Sequence, residues 1–397
     1  MNTLQTPASA PISLAWIERL IRFDTTSFQS NLGLIETVRD ELERYGAGAR
    51  LSYEATGRKA NVFATLPAAD GSTQGGIVLS GHTDTVPVKG QKWDSDPFDP
   101  TLRDGRLYGR GACDMKGFIG VALALLPEMK AARLREPIHF AFSCDEELGC
   151  VGAPYMLADL KARGVHANGC IVGEPTDMRV IVAHKGINAY RCRVQGHAAH
   201  SSLTPHGLNA IEYAARLICF IRDQADQYRR DGPFDTAFDV PFTTLQTGTI
   251  QGGIAVNTIP ANCEFEFEYR NLPGVDGAGI IERIKHHAEH VLLPKMRSEQ
   301  AGANIEFDLL ALAPTLDASE QAAITQLVRA LTRDREVRKV AYGTEAGLFQ
   351  QLGIPSVVCG PGSIEDAHKA NEFVSLEQLA LCESFMRKLI RSLSLEA

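Results

Sequence analysis

The chain predicts an α/β protein interrupted by an inserted α+β domain, and three observations carry that expectation. The first half alternates short apolar runs with helical patterns. Its chemically distinctive motifs each begin where one of those runs ends. After residue 186 the pattern changes to strands whose two faces differ in polarity.

Ile77–Ser80, Ile138–Ser143 and Cys170–Val172 are apolar runs of the length expected for buried strands. Helical patterns cover about 115–129, between the first two, and 153–162. Alternating units of this kind build a sheet with helices on both faces. The next expected elements are a strand at 187–194, a helix near 208–228, strands at 243–250 and 262–270, and a helix near 280–292. The run Asn262-Cys-Glu-Phe-Glu-Phe-Glu-Tyr269 alternates strictly, with one apolar and one acidic face, which marks a half-solvated antiparallel strand. The insert is therefore placed at 187–297, and the outer domain at 1–186 and 298–397. That last part carries an expected strand at 304–309, a helix at 318–331, a strand at 356–359 and a final helix from Ser375.

Composition narrows the class. A chain of 397 residues is too long for one ordinary core, so two domains are expected. The net charge of -8 argues against a nucleic-acid or anionic-membrane partner. No run of about 18 apolar residues is present to span a bilayer. The segment Met1–Ala10 lacks the basic start and apolar stretch of a leader, so none is read. Nine cysteines without a Cys-x-x-Cys pair suggest reduced thiols in a cytoplasm.

The chemistry concentrates at strand ends. Glu146 and Glu147 stand side by side in Ser143-Cys-Asp-Glu-Glu-Leu-Gly149. Neighbouring residues leaving a strand point in different directions, so one carboxylate can bind a metal while the other faces the attacking water. His82 and Asp84 lie two apart in Gly81-His-Thr-Asp-Thr-Val-Pro87, the spacing of a metal-ligating histidine whose other N–H is taken by a carboxylate. Alone, such a pair is common in loops. Asp114, in Gly109-Arg-Gly-Ala-Cys-Asp-Met-Lys-Gly117, read alone is a helix N-cap. Glu174, in Val172-Gly-Glu-Pro-Thr176, reads as a loop acid, and His368, in Asp366-Ala-His-Lys-Ala-Asn-Glu372, as a loop histidine. Together, two histidines and three carboxylates with a spare glutamate suit zinc or a similar divalent ion. The Gly109-x-Gly111 pair lacks the third glycine of a dinucleotide loop.

These blocks, in this order and over nearly the whole chain, resemble the M20 family of co-catalytic dizinc aminoacylases, carboxypeptidases and deacylases. The resemblance implies a zinc-dependent aminopeptidase-like catalytic domain with an inserted lid and dimerisation domain. It implies two divalent ions, Zn2+ with Co2+ as a substitute. Asp114 would bridge them, His82 and Glu174 would complete one site, and Glu147 and His368 the other. Glu146 would be the general base and Asp84 would orient His82. Gly196-His-Ala-Ala-His-Ser-Ser202 is similar to the family's lid motif, whose histidine stabilises the oxyanion; His200 is taken over His197. Asn257 and Arg270 look like contacts to a substrate carboxylate, although Arg270 has many glutamate neighbours to pair with instead. Glu345, in Gly343-Thr-Glu-Ala346, is expected to pair with a cationic substrate side chain. The run Lys369-Ala-Asn371 after His368 departs from the family's usual Gln-Pro-Asp type, so the pocket edge should differ.

The implied reaction is hydrolysis of a small N-acylated amino acid by a cytoplasmic homodimer, with Nα-acetyl-L-ornithine as substrate. Succinyl-diaminopimelate desuccinylation and glutamate carboxypeptidase activity are the alternatives. A non-catalytic binding relative is disfavoured because Glu146 and all five ligand positions are filled.

Overall fold

A computed structural model of the chain describes residues 10–395. All but the last residue of the N-terminal segment read as lacking a leader therefore lies outside the described residues. The described residues divide into two compact units. One comprises residues up to Val182, Asp317–Arg338 and the chain from Thr344; the other comprises Ala183–Leu316 and Lys339–Gly343. Among the described residues no helix is long and apolar enough to cross a membrane.

The larger unit is built on a mixed sheet. Six consecutive strands of this nine-stranded sheet follow the order Gly48–Tyr53, Ala60–Leu66, Ile138–Ser143, Ile77–His82, Gly169–Val172, Ser356–Val358. The last four of these run parallel to one another, and the first two are antiparallel additions at one edge. Every residue of Ile77–His82, Ile138–Ser143 and Gly169–Val172 is buried, as strands covered on both faces must be.

The helix expected at 115–129 is two helices, Lys116–Ala124 and Leu126–Ala131, because Pro127 cannot donate the backbone hydrogen bond that would continue the first. Residues 116–123 are buried all round, so Lys116–Ala124 is a central helix rather than a surface one. It is crossed by Leu14–Ile21 at Gly120, where a Cβ would lie 2.4 Å from an Ile17 side-chain carbon. Only glycine permits that approach.

The smaller unit is a four-stranded antiparallel sheet in the order Thr244–Gly252, Asn262–Arg270, Ile187–Gln195, Asn304–Ala313. Its apolar face, with Cys192, Phe265, Phe267 and Tyr269, packs under the helices Ala210–Asp231 and Gly277–His287. On the opposite face Arg191 and Arg193 pair with Glu266 and Glu264 at 2.7 and 2.9 Å.

One expected boundary moves. Residues 304–313 do not return to the larger unit after 297; they form the fourth strand of the smaller sheet, with Phe307 opposite Cys192. Ile305 and Phe307 alternate with Glu306 and Asp308, the same two-faced pattern as 262–269. A strand of that kind has one face to bury and suits an antiparallel sheet covered on one side.

Candidate metal centre

Three neighbouring parallel strands bring most of the candidate residues together. In the order 138–143, 77–82, 169–172, their C-terminal ends lie side by side, the place where open α/β sheets leave a crevice. The chain leaving the first carries Glu146 and Glu147, the second ends on His82, and the third is followed by Glu174. Asp114 arrives from the turn before Lys116–Ala124, and His368 from the loop after the short 3-10 turn Ile364–Asp366.

His82 is 1% exposed, and its Nε2 lies 2.8 Å from Asp114 Oδ1 and 3.8 Å from Glu174 Oε1. The other oxygen, Asp114 Oδ2, lies 3.1 Å from His368 Nε2, which is also 3.1 Å from Glu147. One oxygen of Asp114 thus faces each histidine, as a carboxylate shared by two cations requires. Ligand atoms of His82, Asp114 and Glu147 lie within 4.8 Å of one another, as do those of His82, Glu146 and Glu174.

The electrostatics fit cations. Burial pushes Glu146 up to about 8, with Glu147, Glu345 and Asp114 adding to the shift and His82 opposing it. Burial, then the Asp114 charge, raises Glu147 and carries Glu174 well above the usual carboxylate range. Burial also opposes ionisation of Asp114, but hydrogen bonds from His368 and His82 hold it below its ordinary value. His368 is raised to about 10 by those to Asp114 and Glu147; His82 is raised despite its burial, chiefly through Asp114 and Asp84. The cluster gathers more carboxylate than its histidines neutralise. Divalent ions would supply the missing positive charge and displace the histidine protons.

Asp84 acts on more than the expected partner. Its carboxylate lies 3.6 Å from His82 Nδ1, beyond hydrogen-bond reach, and its backbone carbonyl accepts from that nitrogen at 3.0 Å instead. The carboxylate accepts from the backbone N–H of Glu146 at 3.1 Å and of Glu147 at 3.2 Å, and from Ser27 Oγ at 3.1 Å. It therefore holds the paired glutamates. Cys150 Sγ, 3.3 Å from Glu146 Oε1, touches the carboxyl of the first.

Glu345 departs from expectation. It is 1% exposed, accepts a 2.5 Å hydrogen bond from Ser143 Oγ, and has no partner for its second oxygen among the described residues. Burial raises it to about 7. Its carboxyl is enclosed against the strand end at Ser143 and is not displayed on an open turn.

His200, Asn257 and Arg270 belong to the smaller unit. His200 is exposed, and the backbone N–H of Ser202 donates to its Nδ1 at 3.2 Å. In the neutral ring this leaves the proton on Nε2, a donor. Ser201 donates to the Asn257 carbonyl at 3.0 Å, which joins the His200 turn to the 252–260 segment. Arg270 donates through Nε and Nη2 to Glu268 at 3.1 and 2.9 Å, the glutamate pairing that its surroundings offered.

Sequence reasoning passed over Arg110 and Glu372. Both are 1% exposed and they form an ion pair of 2.7 Å, with Glu372 also accepting from the backbone of Asp114. The available signal was an Arg and a Glu four residues from the candidate ligands Asp114 and His368, within the quoted motifs.

Comparison with known proteins places these residues in context. Residues 78–392 match the model of Peptidase family M20/M25/M40. An acetylornithine deacetylase of Pasteurella multocida is 35% identical over 364 residues, 91% of this chain and 91% of the relative. One from Myxococcus xanthus is 34% identical over 395 residues, covering 96% and 97%. Among solved structures, an M20 family metallo-carboxypeptidase from Sulfolobus solfataricus shares the fold with a TM-score of 0.75 at 17% identity, over 96% of this chain and 98% of that one. A dinuclear metal-binding M20 peptidase from Bacillus subtilis gives 0.62 at 17% identity, over 96% and 97%. The chain belongs to peptidase family M20/M25/M40, and it is a metal-dependent hydrolase acting on amides.

Proposed function

We propose that the protein removes the acetyl group from Nα-acetyl-L-ornithine, giving acetate and ornithine for arginine biosynthesis. The carrying observation is Asp114 set between two histidines with Glu146 beside them. The acetylornithine deacetylases that match over most of this chain support the substrate. His82 and Glu174 would hold one divalent ion and Glu147 and His368 another, with Asp114 shared. Two Zn2+ ions would supply Lewis acidity and lower the pKa of water.

Glu146 accepts the proton of the attacking water on its carboxylate. Its raised pKa falls towards neutrality beside cationic charge, where one group can accept a proton and then return it to the departing α-amine. Asp84 fixes the backbone from which Glu146 and Glu147 project. His200 donates from Nε2 to the oxyanion, and Asn257 with Arg270 holds the substrate carboxylate, which would compete with Glu268 for the Arg270 fork. Exposed Ile250, Ile254, Val256, Leu309 and Leu312 on the smaller unit support a homodimer formed through it. We place the enzyme in the cytoplasm, in keeping with nine free cysteines, eight of them buried.

The test is acetate release from Nα-acetyl-L-ornithine by zinc-reconstituted protein, with N-succinyl-L,L-diaminopimelate as comparator and Glu146→Ala as control. Turnover of the acetylated substrate that disappears in the variant supports the proposal. Preference for the succinylated compound overturns the substrate, and undiminished turnover in Glu146→Ala overturns the base.

A further inference from the structure

His82, Glu146, Glu147 and Glu174 are held at the ends of adjacent strands. Asp114 and His368 are not. Asp114 lies in a turn, and His368 lies in an irregular loop with φ of 60°, as does Asn371 with φ of 59°. Left-handed backbone at a non-glycine residue persists only where its surroundings enforce it. Something other than the sheet must therefore set the 3.1 Å relation between Asp114 and His368.

The pair Arg110–Glu372 reaches Asp114 directly and His368 through Gln91. Two charges buried this deeply are costly unless their remaining donors and acceptors are used. Glu372 Oε2 takes Arg110 Nη1 at 2.7 Å, and Oε1 accepts the backbone N–H groups of Cys113 and Asp114 at 2.9 and 3.0 Å. Arg110 Nη1 also donates to the Lys369 carbonyl at 3.3 Å, and Nη2 to Gln91 Oε1 at 2.5 Å. Gln91 Nε2 donates in turn to the His368 carbonyl at 2.9 Å. The guanidinium lies 5.1 Å from the Trp93 ring centre, and Asp94 donates its N–H to Asn371 Oδ1 at 2.9 Å. Arg110 Nε has no hydrogen-bond partner among the described residues.

We infer that Arg110, Glu372 and Gln91 are positioning residues of the metal centre, tying the Asp114 turn to the His368 loop so that the shared carboxylate and its histidine stay in register. The inference rests on the metal-centre reading proposed above. A pair serving the core alone would not need hydrogen bonds to the backbone of Asp114 and of Lys369 beside His368, nor a Gln91 bridge to the His368 carbonyl. Partners of this kind behind metal ligands typically change metal affinity about 10- to 100-fold.

Metal-free full-length protein is titrated with Zn2+ against a chelator of known affinity. Equilibrium dialysis gives the number of bound ions, Co2+ substitution gives the visible spectrum of each site, and melting is followed without metal. The wild type should bind two ions. Glu372→Gln, which turns an amide towards Arg110, should keep one ion and bind the other about 10- to 100-fold more weakly, with one Co2+ band lost. Gln91→Ala removes the arm to His368 together with the acceptor for Arg110 Nη2 and the Trp93 indole, and leaves the Arg110–Glu372 pair itself in place. It should weaken the same ion by a smaller factor, while the metal-free protein still unfolds in one cooperative transition, at a temperature lowered only by the loss of the Arg110 acceptor. Wild-type affinity at both sites in both variants overturns the inference. So does Glu372→Gln that fails to fold together with Gln91→Ala that binds as the wild type does. A wild type that binds no divalent ion refutes the metal-centre reading itself, which is a separate failure.

Discussion

Replacing Asp84 with asparagine isolates what its carboxylate does for the paired glutamates. The side chain keeps its shape, but one oxygen becomes an amide that donates. Asp84 now accepts from Glu146 N–H, Glu147 N–H and Ser27 Oγ, and each oxygen serves one of the two glutamates. Whichever way the amide turns, one glutamate N–H faces another donor. With hydrogen bonds to charged groups worth about 1.5–3 kcal/mol each, losing one and weakening the other costs about 2–4 kcal/mol. At about 1.36 kcal/mol per factor of ten, kcat/KM should fall about 30- to 1,000-fold. The loss should appear in kcat, because the role proposed for Glu146 is on water rather than on substrate binding. Steady-state hydrolysis of Nα-acetyl-L-ornithine, with metal content determined on the same samples, reads both quantities. Unchanged kcat in a variant that still holds two ions would refute the assignment of Asp84 as the support of the base.

Other perturbations reach different parts of the molecule. His200→Ala removes the Nε2 donor and should lower kcat about 10²- to 10³-fold while two ions stay bound, as steady-state kinetics with metal analysis would show. Gly173→Ala would set a Cβ 2.0 Å from the Phe118 ring. That overpacking costs about 1–3 kcal/mol, so calorimetry should show a lower melting temperature, and displacement of the adjoining Glu174 should weaken metal binding. In the metal-free protein Glu146 is raised to about 8 and His368 to about 10. A raised folded-state pKa contributes stability that is complete below the unfolded-state value and lost as pH climbs through the folded one. Thermal unfolding in chelator should therefore show a melting temperature that falls between about pH 5 and pH 10, with a flatter profile once divalent ions are added.

Much of the site is legible in the chain because the relevant geometry is local. Strand ends at 82, 143 and 172 are visible as apolar runs that stop, and parallel strands place such ends on one side of a sheet. The acidic and histidine residues just beyond them, with Asp114 ahead of an apolar helix, are then candidates for one crevice. The half-polar strand at 262–270 is equally visible, since alternation needs no knowledge of its neighbour. The same alternation at 304–309 was present, but which sheet it completes depends on the partner strand Ile187–Gln195, more than a hundred residues earlier.

By itself, then, the sequence determined the class of sheet, the family's chemistry and the side chains that can hold cations. Those follow from residue type and short-range period. Tertiary structure alone decided how these groups are supported. It turned Asp84 towards the backbone of Glu146 and Glu147, buried Glu345 behind Ser143, and set Arg110 against Glu372, 262 positions away. Hydrogen bonds between segments so distant leave no periodic trace in the chain; they exist only once packing has brought the donors and acceptors together and excluded the water that would otherwise satisfy them.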